Sequence, residues 1–192
     1  SYMNIPTTVL AQADASVGGK TGFNFNSLKN EIGVFNQAEH VFISDIFMKT
    51  LSKREFLSGF AEMIKHALIK DEEHYHELIE FLENYNKTGK LEGYDQLIKK
   101  SVEIKAEVVE SDPFESDLRK LLNFGHTFGH AFESHFKLNK GIEIKHGEAV
   151  AAGIICELYV SINKIGLDKQ IAENIVKQLT GVYKLVEIME KD

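Results

Sequence analysis

After about residue 50 the apolar side chains recur at intervals of three and four almost without interruption, the period of helices that bury one face. Thr50–Ser52 lead into one or two helices over Lys53–Ile69, with Ser52 placed as N-cap and Glu55 three residues on, the spacing of a capping box. Glu73–Asn84 reads as a surface amphipathic helix closed by the turn residues Asn86–Gly89. Tyr94–Glu110 is a long helix ended by Asp112-Pro113. Leu121–Glu133 is a further helix, and Ala149–Lys164 and Lys169–Gln178 are separated by Gly166 at a C-cap position. Ahead of these lie two short strands, one in Tyr2–Val9 and one at His40–Asp45 (HVFISD), joined by the polar, glycine-rich loop ADASVGGKTGFNFNSLKNEIG. The predicted fold class is therefore mostly α. Two strands without an upstream partner do not complete a parallel sheet, so the pattern reads as the carboxy-terminal part of a longer enzyme.

The helical pattern also places chemistry. In LLNFGHTFGHAFE, His126 and His130 are four residues apart and share a helix face, with Asn123 one turn earlier on the same side. A third imidazole, His146, opens the apolar run HGEAVAAGIICELYV. The best carboxylate to join them is Glu62 in GFAEMIKHALI, with Lys65 one turn further along the same face. Two histidines, one glutamate and an open position make a catalytic zinc sphere rather than a structural one. The competing reading is that each histidine is a hydrogen-bonded packing residue, and His74, His76 and His135, set among charged residues, keep that reading. Thr127 stands where a zinc-protease helix requires glutamate, which excludes that class.

Composition narrows the class. The 192 residues, 43% hydrophobic and 27% charged, can bury a sizeable core. A net charge of −7 offers no basic stripe for nucleic acid. One cysteine, Cys156, excludes a disulfide framework and fits a reducing compartment. No apolar run reaches the ~18 to 20 residues of a membrane span and the start lacks a secretion pattern, so a cytoplasmic location is expected.

The glycine-rich loop departs from a nucleotide phosphate loop, because Asp14 occupies the position of the first required glycine and would repel a phosphate. It reads instead as a polar loop that carries Asp14, Lys20, Lys29 and Asn30 into a cleft for an anionic, hydroxylated ligand, against the alternative of a solvated surface loop. Lys105 among apolar neighbours and Arg119 just ahead of the histidine helix are further cations, read alone as a snorkelling lysine and a surface ion pair.

The blocks IPTTVLAQADASVGGKTGFN, LKNEIGVF, REFLSGFAEMIKHALI, IKAEVV, LRKLLNFGHTFGHAFE and HGEAVAAG, in this order and spacing, resemble the 3-dehydroquinate synthase family over Ile5 to about Gly153. The resemblance implies a helical metal- and substrate-binding domain at residues 53–192 and, at residues 1–52, the remnant of an NAD-binding α/β domain with the substrate and cofactor loop. It implies zinc or cobalt on Glu62, His126 and His146, and substrate contacts from Asp14, Lys20, Asn30, Lys65, Lys105, Arg119, Asn123 and His130. Of these, His130, Lys65, Lys20 and Asp14 would serve the chemistry. Thr7, Thr8, Lys29, Phe47, Thr50, Leu51 and Glu55 match positions that close over NAD.

The implied reaction is the phosphate-eliminating cyclisation of a seven-carbon keto-sugar acid phosphate in the shikimate pathway, with NAD regenerated at each turnover, in a cytoplasmic homodimer. It is a lyase step on the way to chorismate and the aromatic amino acids. A carboxylate suits Arg119 with Lys105, and a phosphate suits Lys20, Asn30 and Asn123. Two other enzyme classes share the plan: sugar-phosphate cyclases of the 2-deoxy-scyllo-inosose synthase type, which Arg119 and Lys105 argue against, and zinc polyol dehydrogenases, which do not need lysines around the loop. A non-enzymatic reading is that the 192-residue chain alone is a folded, metal-binding fragment without turnover.

Overall fold

The computed structural model describes residues 1–25 and 28–184, with side chains described outside 23–31 and 139–140. Strands β1 (Met3–Asn4), β2 (Lys20–Phe25), β3 (Leu28–Phe35) and β4 (His40–Val41) precede six helices: α1 (Lys53–Lys70), α2 (Glu72–Thr88), α3 (Tyr94–Ser111), α4 (His126–His135), α5 (His146–Ile165) and α6 (Lys169–Val182). β1 pairs parallel with β4, and β2 pairs antiparallel with β3. No helix among the described residues is long and apolar enough to cross a membrane.

The expected polar loop is corrected. Its first part turns helically at Ala11–Ala15, and the rest is the β2–β3 hairpin, in register from Lys20↔Phe35 to Phe23↔Ile32 and shifted between Phe23 and Phe25, where Phe25 pairs with Leu28. The sequence carries the signal, since Thr21, Phe23 and Phe25 alternate with Lys20, Gly22 and Asn24, the period of a strand. Glycine and asparagine content hid that alternation. The two expected strands are shorter than predicted: β1 holds only Met3–Asn4 and Val9 is buried in the helical turn, while β4 stops at Val41 and a 3-10 turn follows at Asp45–Lys49.

The helical expectations hold, with one displacement. Ser52 caps α1 by accepting from the Glu55 N–H at 3.3 Å, while the Glu55 carboxylate reaches Lys145 at 2.9 Å. Gly166 closes α5 in the left-handed conformation. The helix expected over Leu121–Glu133, however, begins only at His126. Leu118–Asn123 is a 3-10 turn, and Gly125 at φ 79° breaks the path between them, so Asn123 precedes the histidine helix instead of lying on its face.

α1 is the central element, buried continuously from Ser58 to Ala67. Its Phe56 and Phe60 stack with Phe81 and Tyr85 of α2, the tightest pair being Phe56 and Tyr85 at 4.6 Å between ring centroids. Buried Gln12 ties the strands to this core: its amide donates to Ser44 O (2.8 Å) and Pro6 O (3.2 Å) and accepts from the Tyr94 hydroxyl (2.9 Å). Two glycines let α5 lie against its neighbours. A Cβ on Gly153 would stand 1.8 Å from Gly125 O, and one on Gly147 would stand 2.0 Å from Ser58 O.

Between α3 and α4 the chain is ordered by Asp112. Its carboxylate accepts from the N–H groups of Asp117 (2.7 Å), Ser116 (2.9 Å) and Arg119 (3.1 Å) and from the Ser116 hydroxyl (3.0 Å). The Asp117 N–H foremost, with those of Ser116 and Arg119, pulls its pKa to about 2.

Two predictions follow from this packing. Gly153→Ala should cost about 1–3 kcal/mol in urea unfolding, since backbone oxygen cannot move aside, while Gly181→Ala, with open space around it, should not destabilise. For Asp112, a folded pKa depressed below its unfolded value of about 3.9 contributes stability that is complete above the unfolded pKa and lost as pH falls through the folded one. Asp112→Asn should therefore destabilise at neutral pH, and its difference from wild type should shrink as pH falls from about 4 towards 2.

Candidate active site

Three elements bring the expected metal ligands together. α1 supplies Glu62 from its buried face, α4 supplies His126 at its first residue, and α5 supplies His146 at its first residue. The start of α5 is held to α1 by the Gly147 N–H, which donates to Ser58 Oγ at 3.0 Å. The His126 Nε2 and His146 Nε2 atoms stand 3.5 and 3.4 Å from Glu62 Oε1, and one donor atom of each residue lies within 4.8 Å of the other two.

These separations test whether the residues suit an ion. At 3.4 and 3.5 Å the imidazoles are too distant to satisfy Glu62 Oε1 as hydrogen-bond donors, and that buried oxygen has no hydrogen-bond partner among the described residues. Ligand atoms bound to one tetrahedral ion at ~2.0–2.2 Å stand about 3.4 Å apart, so the set fits a divalent cation such as zinc. Glu62 is ready for it. Burial alone would raise its carboxyl, but Lys65 beside it, then His146 and His126, hold it well below the usual range. Burial keeps His126 below its ordinary value. At His146 burial is outweighed by Glu133 and Glu62, which raise the imidazole to about 9.

A cavity of about 530 Å³ opens beside these groups, and Asp14, Lys20, Lys65, Lys105, Arg119, Asn123 and His126 line it. The hairpin closes one side through Thr21, Gly22 and Gly33–Phe35. Lys105 Nζ donates to Asp14 Oδ1 at 2.7 Å and also to the Asp14 carbonyl. Burial would raise the Asp14 carboxyl, but Lys105 keeps it below its ordinary value. Arg119 is buried and points across the cavity wall to Gly18 O (3.0 Å) and Pro113 O (2.8 Å). His130 stands outside that lining, with its ring 5.3 Å from His126 and 6.1 Å from His146.

The positions expected to close over NAD lie elsewhere. Thr7, Thr8, Phe47, Thr50 and Leu51 sit on the turn after β1 and on the segment leading into α1, and Glu55 in the first turn of α1, all outside the cavity lining. Thr8 Oγ1 accepts from the Ala11 N–H at 3.1 Å and Thr50 Oγ1 donates to Phe47 O at 3.3 Å. The side chains of Lys29 and Asn30 lie outside the described set.

Two site residues escape the reading of the sequence. Glu115 sits at φ 58°, a strained conformation for a residue with a side chain, and accepts from Lys20 Nζ and from Asn123 Nδ2 (2.9 Å). The acidic run DPFESD just before Arg119 was its only signal. His66, four residues after Glu62, is fully buried with neither ring nitrogen hydrogen-bonded among the described residues, and burial with Lys65 close by pushes it down to about 3.

Residues 59–191 match the family model described as 3-dehydroquinate synthase C-terminal, and residues 1–58 match the one described as 3-dehydroquinate synthase N-terminal. The 3-dehydroquinate synthase of Parabacteroides distasonis is 47% identical over 184 residues, covering 94% of this chain and 50% of that protein. That of Ruminiclostridium cellulolyticum is 44% identical over 195 residues, covering 99% of this chain and 45% of its own. The chain thus spans about half the length of the curated relatives it matches. Among solved structures, the 2-epi-5-epi-valiolone synthase of Streptomyces hygroscopicus subsp. jinggangensis 5008, with NAD+ and Zn2+ bound, superposes with a TM-score of 0.78 at 27% identity, covering 98% of this chain and 52% of that one. With both family models matched in sequence order and across nearly its whole length, the chain belongs to the 3-dehydroquinate synthase family.

Proposed function

We propose that this chain carries the metal- and substrate-binding machinery of a 3-dehydroquinate synthase, which converts 3-deoxy-D-arabino-heptulosonate 7-phosphate to 3-dehydroquinate and phosphate with NAD and a divalent metal ion. The observation that carries the proposal is the convergence of His126 and His146 on the unpartnered Glu62 Oε1, beside a cavity lined by Lys20, Lys65, Lys105 and Arg119. On this reading residues 53–192 are the metal and substrate domain, residues 1–52 belong to the NAD-binding side, and the enzyme works as a cytoplasmic homodimer in the shikimate pathway.

A bound divalent ion supplies Lewis acidity towards substrate hydroxyls and NAD supplies a temporary store for a hydride, and Glu62, His126 and His146 would hold the ion. The remaining work belongs to the side chains. Lys105 and Arg119 are buried cations, held in place by Asp14 and by backbone carbonyls, and they are the pair suited to a substrate carboxylate. Lys20 and Asn123 already converge on one carboxylate, that of Glu115, so the same donors can receive a phosphate in its place. Lys65 sets a positive charge inside the cavity wall beside Glu62, where it favours an ionised substrate oxygen. His130, about half exposed, stands beside the metal ligands with access to solvent and is the group placed to move a proton between substrate and water.

Two measurements test this. Alanine at Glu62, His126 or His146 should abolish zinc retention in equilibrium dialysis, whereas His130→Ala should keep zinc and lose turnover in a protein that also carries the half its relatives possess. Arg119→Ala should weaken substrate binding by about 2–4 kcal/mol, the cost of removing one partner of a desolvated charged pair, with zinc retention unchanged. Equal use of a substrate that lacks the carboxylate would move the assignment to another sugar-phosphate cyclase.

A further inference from the structure

Glu133 stands on α4 seven residues after His126 and three after His130, so all three fall along one helix face. Its carboxylate lies between two imidazoles. Oε1 lies 3.0 Å from His146 Nδ1, and Oε2 lies 4.0 Å from His130 Nε2. The other nitrogen of His146, Nε2, is the one that faces Glu62 Oε1.

An imidazole can offer a lone pair at Nε2 in its neutral form only when its proton is on Nδ1. That N–H then needs an acceptor, and the acceptor decides both the tautomer and the angle of the ring. His126 meets the requirement through the backbone, with Nδ1 3.3 Å from Phe124 O and Nε2 towards Glu62. His146 has Glu133 in the equivalent place. The two imidazoles therefore present the same nitrogen to the same carboxylate oxygen, one oriented by a fixed carbonyl and the other by a side chain. A carboxylate acceptor also makes the imidazole a stronger donor to a cation than a carbonyl does.

We propose that Glu133 is a positioning residue for the metal centre: it accepts the Nδ1 proton of His146 and so fixes the ring with Nε2 aimed at the ion. This inference rests on the reading of Glu62, His126 and His146 as metal ligands. It adds a residue that does not itself ligate the ion.

The test uses the full 192-residue chain, stripped of metal and titrated with zinc against a chromophoric chelator, with thermal unfolding of the metal-free form recorded alongside. Glu133→Leu, which removes the acceptor, should lower zinc affinity by about 10- to 100-fold without changing the unfolding midpoint of the metal-free chain. Glu133→Gln keeps an amide oxygen that can accept the Nδ1 proton and should recover most of the loss. His126→Ala serves as the control and should lose zinc outright. Unchanged zinc affinity in Glu133→Leu, with zinc lost in His126→Ala, overturns this inference and leaves the metal centre standing. Unchanged affinity in His126→Ala overturns both. Two zinc ions bound by the wild type and one by Glu133→Leu would make Glu133 a ligand of a second ion, and an earlier unfolding of metal-free Glu133→Leu that Glu133→Gln does not repair would make its role structural; either result overturns the positioning role.

Discussion

The architecture depends on keeping an ionised carboxylate, that of Glu62, inside the most buried stretch of α1. Desolvation opposes the charge, and the ammonium of Lys65 one turn away is the closest compensation. That pair leaves Glu62 Oε1 unsatisfied, and two imidazoles from separate helices are held just beyond hydrogen-bond reach of it. A buried ion pair of this kind often adds little to stability, so Glu62 is costly to the helix that carries it.

Helix packing converts this constraint into a site. His126 and His146 each stand at the first residue of a helix, where backbone direction changes and a side chain can be aimed independently of the helix behind it. Both helix starts are pinned by contacts that tolerate no side chain: Gly153 against Gly125 O, and Gly147 against Ser58 O. Any added methyl at these points would push α5 away from α4 or α1 and so separate the imidazoles from Glu62. Stability and the placement of the two imidazoles share the same close contacts.

The cavity beside the site follows a similar logic of balanced charge. Lys105 is paired with Asp14 and Lys20 with Glu115, and Arg119 donates to two backbone carbonyls, so each cation is fixed before an anion arrives. Preorganised donors lose little entropy on binding, and the buried Lys105 and Arg119 are weakly screened in their attraction for an anion. The loop that carries Glu115 and Arg119 is itself ordered by Asp112, one step behind the cavity wall.

The sequence alone determined the helices, because burial on one face imposes a period that survives in any order of packing, as in Lys53–Lys70 with its Ser52 cap and in the Gly166 stop after α5. It also singled out Glu62, His126 and His146 in apolar segments, and the fold brings one donor atom of each within 4.8 Å of the others. The hairpin was written in the alternation after Lys20 but obscured by glycine and asparagine, which mark turns and strands alike. Tertiary structure decided what no local pattern encodes: that His126 starts a helix rather than sitting within one, that Glu115 holds Lys20 from 95 residues away, and that Glu133 reaches His146 across two elements. Those relations depend on how far apart helices can approach, and that distance is set by the contacts of three glycines and a serine which periodicity cannot report.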